Sequence, residues 1–373
     1  MDRIVQFSGV DAVVERAIGR TIVGANILIA LNGDVVYSRQ AGFLDREAER
    51  PVTPRTLFRL ASVTKPMVSV AALAMVEAGR MRLDDPVTRY LPDFRPCLPD
   101  GSAPQITVSQ LMTHTSGLTY DLDIGNGKPA SGGTGPSDFD LAENIARIAA
   151  LPLAFPPGTA WRYSVGIDVL GGVMEAADGR PLPEIVKARV TDPLGMADTA
   201  FRPVDTNRLA VAYADGTPPV RMGDTELVKD GDGFVLFWPG RAFDPTAFPS
   251  GGAGMIGSAE DFLAFLETMR QGGAPLLSPA SMPLLTEART VDLDPAPSGR
   301  GYSHGWSVYR DPAVQDAPCR PGTWAWGGIY GNQWYVDPAS GLTIVIFTNT
   351  AVEGCNGALP NNIFRAVYAD LAA

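Results

Sequence analysis

The tetrapeptide Ser62-Val63-Thr64-Lys65 sets a hydroxyl three residues before an amine. On a helix, positions i and i+3 share a face, with Cβ atoms about 5–6 Å apart. Ser62 could then act as nucleophile and Lys65 as proton acceptor. The amine is the rarer partner, because only Lys65, Lys128, Lys187 and Lys229 are lysines among 30 lysines and arginines. Arginine does not give up its proton in a protein, whereas a partly buried lysine can. Chance alone supplies about 0.2 such matches in a chain of this composition, so the surroundings must decide. Pro66 is the first of them. Its missing N–H would have bonded to the Ser62 carbonyl, a loss tolerated only in the first turn of a helix. Met67, Val70, Ala71, Ala74, Met75 and Ala78 continue the helical spacing to a stop at Gly79. Ser62 therefore stands at a helix N-terminus, where free N–H groups favour a developing anion.

Rival chemistries have little support. Gly301-Tyr302-Ser303-His304-Gly305 matches the G-x-S-x-G elbow. An elbow needs a strand-to-helix turn followed by an acid and a histidine. The two histidines are His114 and His304, none follows 304, and the segment continues as a strand. His114 is expected to be a structural histidine at a helix end, bonded to backbone. No clustered carboxylates, Cys pairs or Gly-rich phosphate loop appear, so neither a metal nor a cofactor is expected. Asp84-Asp85 ahead of Pro86 reads as a helix-start cap. A serine nucleophile lacking a histidine base needs a lysine, or a tyrosine near cations. Tyr163, in Trp161-Arg162-Tyr163-Ser164-Val165, is a candidate, although a core aromatic would read the same way.

The elements that must position these groups fall in three blocks. Helical spacing covers 10–18, and strand-like runs Ala25–Leu31 and Val35–Ala41 flank the hairpin dipeptide Asn32-Gly33. Short helical patterns follow at 107–113, 138–150, 166–178 and 183–190, with a loop over Asp121–Asp140. The stretch 203–257 reads as irregular. Its Phe234, Phe237, Trp238, Phe243 and Phe248 suggest a wall or lid over a substrate. A helix at 258–270 precedes strands at Tyr302–Tyr309, Thr323–Ile329, Asn332–Val336 and Leu342–Thr348, then a helix over Ile363–Leu371. Short turns imply antiparallel pairing. The order predicts an α+β fold in which both chain ends share one antiparallel sheet flanked by helices. Residues 1–80 and 251–373 would form the sheet domain and 81–250 an inserted, mainly helical domain, with the site at their interface.

Bulk composition narrows the partners. A net charge of −11 excludes a nucleic-acid surface and disfavours anionic membranes. Three cysteines at unrelated spacings fit reduced thiols in a cytoplasm. Residues Met1–Ser8 show neither a basic nor an apolar targeting region.

Phe58-Arg59-Leu60-Ala61-Ser62-Val63-Thr64-Lys65-Pro66, His114-Thr115-Ser116-Gly117-Leu118, Pro157-Gly158 before Tyr163-Ser164, and Trp326-Gly327-Gly328 occur in that order. Together they resemble family VIII carboxylesterases, which are built on the class C β-lactamase and penicillin-binding-protein fold. The resemblance covers about residues 22 to 372. It implies an acylated Ser62, an amine partner Lys65, and Tyr163 as the phenol of a Tyr-x-Asn motif. It puts Trp326-Gly327-Gly328 where β-lactamases carry Lys-Thr-Gly, and assigns the oxyanion hole to the N–H groups of Ser62 and Ile329. Two departures bear on the substrate. Val165 stands where Asn would hold a substrate amide or the lysine, and Trp326 replaces a carboxylate-binding lysine. Both make the site less polar. With Trp238, Gly327 and Gly328 they are the expected substrate contacts, for a neutral, short-chain ester rather than a lactam. β-Lactam, D-aminopeptide or other amide hydrolysis, acyl transfer, and a non-catalytic binding module remain as alternatives.

Overall fold

The computed structural model describes residues 6–123, 125, 127–293 and 299–373. Met1–Val5, most of the stretch read for a targeting signal, and residues 124 and 126 of the 121–140 loop lie outside the described residues. The strands before the inserted segment are β1 (Gly24–Leu31), β2 (Asp34–Asp45), β3 (Arg50–Pro51) and β4 (Phe58–Arg59). Within and closing that segment come β5 (Tyr213–Ala214), β6 (Val220–Arg221), β7 (Glu226–Asp230), β8 (Gly233–Phe237) and β9 (Ile256–Gly257). The last five are β10 (Arg300–Tyr302), β11 (Ser307–Tyr309), β12 (Trp324–Gly328), β13 (Asn332–Asp337) and β14 (Leu342–Thr348). The helices are α1 (Ser8–Ala17), α2 (Thr64–Glu77), α3 (Val108–Met112), α4 (Leu141–Ala149), α5 (Gly166–Asp178), α6 (Leu182–Val186), α7 (Ala259–Arg270), α8 (Met282–Thr286) and α9 (Ala358–Ala372).

One eight-stranded sheet runs in the order β10-β11-β12-β13-β14-β1-β2-β3, antiparallel throughout. The chain ends meet at its middle, where Ala25–Leu31 pairs with Leu342–Thr348. Strand alternation splits the core in two. Ile27, Ile29, Ile344 and Ile346 pack with Val10 and Val14 of α1 and Ile363 and Phe364 of α9. Leu28, Ala30, Val345 and Phe347 point the other way, into a larger core with Met67, Val70 and Ala71 of α2 and Phe262 and Leu266 of α7. Most of α2 is buried because it packs against α5 and α6 and shares the larger core with that sheet face. The helix that carries Lys65 is thus enclosed over eleven of its fourteen residues, which is what a precisely held amine requires.

Three expectations change. The run Tyr302–Tyr309 is two strands with a turn at Ser303–Trp306, not one. The stretch 203–257 holds a regular hairpin, β7 with β8, alongside short bridges. Exposed Leu227, Phe234 and Leu236 hid it, because they break the alternation of a half-buried strand. The helix after Ser62 opens as a 3₁₀ turn over Ala61–Val63 before α2. No helix among the described residues is long and apolar enough to cross a membrane.

Candidate active site

Ser62 is presented by a strained bend. Ala61, fully buried, has φ +45°, a left-handed conformation that costs a non-glycine residue about 1 kcal/mol or more. The bend is held from both sides. Leu60 N–H donates to Met255 O at 3.0 Å, and Met255 N–H to Thr64 Oγ1 at 3.0 Å. Strand β12 presses on it, since a Cβ on Gly328 would lie 2.1 Å from Leu60 O. Gly328 is therefore the residue that lets the strand approach the bend. Among the described residues, the N–H groups of Ser62 and Ile329 have no protein acceptor. They are the two donors that the family resemblance implies for an oxyanion.

Lys65 is fully buried. Its Nζ lies 3.1 Å from Ser62 Oγ and 3.0 Å from Tyr120 Oη, and donates to Gly252 O at 2.8 Å. Tyr163 Oη donates to Ser62 Oγ at 2.6 Å, and the lysine nitrogen sits 4.7 Å from the Tyr163 ring centre. The carbonyl of Gly252 can only accept, so it fixes one N–H of the amine and turns the remaining positions toward the two hydroxyls. Ser62 Oγ is in hydrogen-bond reach of both groups proposed from sequence as proton acceptors.

An aromatic cage holds Tyr163. Trp326, Tyr120 and His114 rings lie 5.0, 5.1 and 4.9 Å from it, and Tyr302 backs His114 and Trp326 at 4.8 and 5.0 Å. His114 differs from expectation. It has φ +58°, and its Nδ1 pairs with Ser164 Oγ at 3.1 Å rather than with backbone, while Nε2 is buried without a partner. Burial, then the charge of Lys65, hold its pKa well below the ordinary histidine value. It is a neutral wall of the cage.

His304 is likewise pushed down by burial, to about 4, with its ring between Ser109 Oγ and Leu284 O. A histidine held neutral in the fold but free to charge when unfolded adds stability above its unfolded pKa, near 6.5, that is lost as pH falls. For His304 that loss is about 1.4 kcal/mol per pH unit between 6.5 and about 4, and His114 adds to it with the same sign. The melting temperature should fall from pH 6.5 to 5. His304→Asn should flatten the slope, and an unchanged slope would refute the assignment.

Two residues that sequence reading missed stand here. Tyr120 takes a contact to Lys65, and burial together with nearby Tyr163 raises its pKa well above the ordinary tyrosine value. Only its position six residues after His114 marked it. Asp168, fully buried on α5, accepts from Ser250 Oγ at 2.5 Å and Gly252 N–H at 3.2 Å through Oδ1. It thereby fixes the turn whose Gly252 carbonyl receives Lys65. Its i+5 spacing from Tyr163 is no helical signature, because α5 begins only at Gly166. Asp168→Ala leaves two buried donors unpaired, each worth about 1–3 kcal/mol. We expect kcat to fall tenfold or more with KM little changed. Asp168→Asn keeps an acceptor and should recover most of it; equal losses in both variants would exclude a positioning role.

The other sequence-selected residues divide. Trp326 and Ile329 are partly exposed at the site. Gly327 and Gly328 allow close packing, a Cβ on Gly327 meeting Cys355 Sγ at 2.8 Å. Val165 is a correction: it is fully buried in the main core at the start of α5 and offers a substrate no surface. Trp238, partly buried, lines a neighbouring cleft with Arg59 and Tyr330. Ser303 is a turn residue, its Oγ donating to Trp306 O and accepting from the N–H groups of Gly305 and Trp306.

Comparison with known proteins places this geometry. A family model described as Beta-lactamase matches residues 10–367. The chain is 46% identical to Esterase EstB of Burkholderia gladioli, over 96% of this chain and 94% of that protein. It is 31% identical to a lovastatin esterase of Penicillium rubens over 67% of this chain and 64% of that one. Among solved structures, EstCE1, described as a hydrolase with promiscuous acyltransferase activity, superposes with a TM-score of 0.91 at 39% identity, covering 97% of this chain and 98% of that one.

Proposed function

The chain belongs to the beta-lactamase family, and from that premise we propose that it is a serine esterase of the family VIII type working through an acyl-enzyme on Ser62. The observation that carries this reading is the junction at Ser62 Oγ, reached by Tyr163 Oη at 2.6 Å and Lys65 Nζ at 3.1 Å. Ser62 Oγ attacks the ester carbonyl while its proton passes to the Lys65–Tyr163 pair, which hands it to the leaving alcohol. The N–H groups of Ser62 and Ile329 receive the oxyanion, each worth about 2.7–4 kcal/mol if it acts as a hole donor does elsewhere. Tyr163 then activates the deacylating water. Likeness to Esterase EstB and EstCE1 supports ester hydrolysis, and the name of the latter supports alcohol as a competing acyl acceptor.

Trp326 and the burial of Val165 leave this wall without the lysine and amide that a β-lactam or peptide would use, so esters come before lactams. Residues 1–80 with 251–373, and 81–250, are the two parts between which the substrate enters. Buried Cys319 and Cys355 and exposed Cys97, all free, fit a cytoplasmic setting. The test is the intact mass of the protein after brief exposure to a panel of esters, nitrocefin and D-amino acid anilides. An acyl adduct on Ser62 from esters is the expected result. An adduct from amides alone, or none at all, would overturn it.

A further inference from the structure

Beside the site lies a cleft with an unusual charge content for a protein of net charge −11. Arg59, Arg241 and Arg202 line it, with Trp238, Phe248 and Tyr330. None of the three guanidinium groups is in an ion pair among the described residues, although seventeen other pairs form. Their partners are neutral oxygens. Arg59 donates to Ala210 O and Pro239 O, Arg241 to Ser137 Oγ and Phe248 O, and Arg202 to Asp244 O and Pro245 O. Arg59 Nε is buried with no partner, and Arg241 is only 9% exposed. Burial holds the Arg241 pKa down to about 10, with the fields of Asp168, Tyr330 and Asp244 acting against it and that of Arg202 with it. Asp168 Oδ1 is committed to Ser250 and Gly252, its Oδ2 is buried with no hydrogen-bond partner among the described residues, and the carboxylate forms no ion pair with Arg241.

Arg59, partly buried, and Arg241, buried, are charges held by no ion pair, Arg202 beside them is exposed, and a bound carboxylate would relieve the buried charge through charge-assisted bonds. The walls suit a ligand that is part anion and part hydrocarbon. Arg59 faces the Tyr330 ring at 5.9 Å and Arg241 the Phe248 ring at 4.4 Å, so each cation is already set against an aromatic plane. The cleft adjoins the candidate catalytic groups through their chain neighbours. Arg59 precedes Ser62 by three residues, Ala253 follows Gly252, and Tyr330 follows Ile329. Trp326 is not part of its lining, so the neutral reading of that wall is unaffected.

We propose that the Arg59–Arg241–Arg202 cleft is a subsite for a carboxylate carried by the substrate, making carboxylate-bearing esters the preferred class. This rests on the esterase reading of Ser62. The test compares monoethyl adipate with ethyl hexanoate, which differ at the far end of the acyl group, and 4-acetoxybutanoate with butyl acetate, which differ in the alcohol. Hydrolysis is followed by pH-stat. We expect at least a tenfold preference in kcat/KM for the acid in one pair, reporting which half enters the cleft. The preference should shrink in 0.5 M NaCl and collapse in Arg241→Gln. Free adipate should compete with the preferred substrate and raise the melting temperature of the wild-type enzyme. If Arg241→Gln fails to fold, the salt dependence and competition in the wild type still decide. Hydrolysis of both neutral esters with no acid preference and no competition by adipate would overturn the subsite while leaving the esterase reading intact. Adipate that inhibits without competing would also overturn it. Stabilisation by adipate without any ester acylating Ser62 would overturn the esterase reading and keep the anion site.

Discussion

Ser62→Ala is expected to lower kcat for a short p-nitrophenyl ester by about three orders of magnitude or more, while Ser303→Ala stays within about twofold of the wild type. The two serines share a local sequence logic, each matching a recognised nucleophile pattern, and differ in what surrounds them. Ser62 Oγ meets a lysine nitrogen and a phenol, and among the described residues the N–H groups of Ser62 and Ile329 have no protein acceptor. Ser303 Oγ spends its hydrogen bonds on the turn between β10 and β11. Removing it costs turn stability, which a melting curve would report, but touches no reacting group. Steady-state rates for both variants, with melting curves alongside, settle the comparison. A Ser303→Ala enzyme that loses turnover while Ser62→Ala keeps it would reverse the assignment.

Lys65→Arg should be nearly inactive, with kcat reduced by about a thousandfold. General acid–base catalysis supplies about 10²–10⁴-fold, and a guanidinium cannot accept the serine proton. Geometry adds to the loss. Lys65 is fully buried between Ser62, Tyr120 and Gly252, with no room for a longer, planar head group. Lys65→Met separates the two causes, since it restores an apolar fit without restoring a base. If both variants fold and both fail, proton transfer is the missing step. An active Lys65→Arg enzyme would remove the lysine from that role.

Much of this was legible in the sequence because local rules were strong where they mattered. Pro66 fixed the helix start, Asn32-Gly33 fixed the first hairpin with φ of +55° and +100°, and Gly79 ended α2 with φ +68°. The sheet joining both chain ends followed from strand runs and short turns. What stayed hidden depended on contacts between distant segments. Tyr120 reaches Lys65 across 55 positions, and Gly252 reaches it across 187. Asp168 holds Lys65 through the Ser250–Gly252 turn, so nothing in its own neighbourhood announced it. Val165 was misread because a motif position says which residue type stands there, not whether the helix after it turns that side chain into the core. The arginine cleft gathers residues from five separate stretches, around 59, 133, 202, 238–256 and 330, and leaves no pattern along the chain.

The pairing of β1 with β14 has a consequence for synthesis. Strand β1 leaves the ribosome long before β14, yet they are neighbours at the centre of the sheet. Strand β12, which presses on the bend at Ser62 and carries the chain to Ile329, also emerges late. A growing chain can wind α2 early, but the serine at its start has no strand against it until residues 324–348 are out. Long-range pairing of this kind is slow to form. The nascent protein therefore carries an unassembled site, and the candidate nucleophile Ser62 gains its strand only once residues 324–348 have emerged.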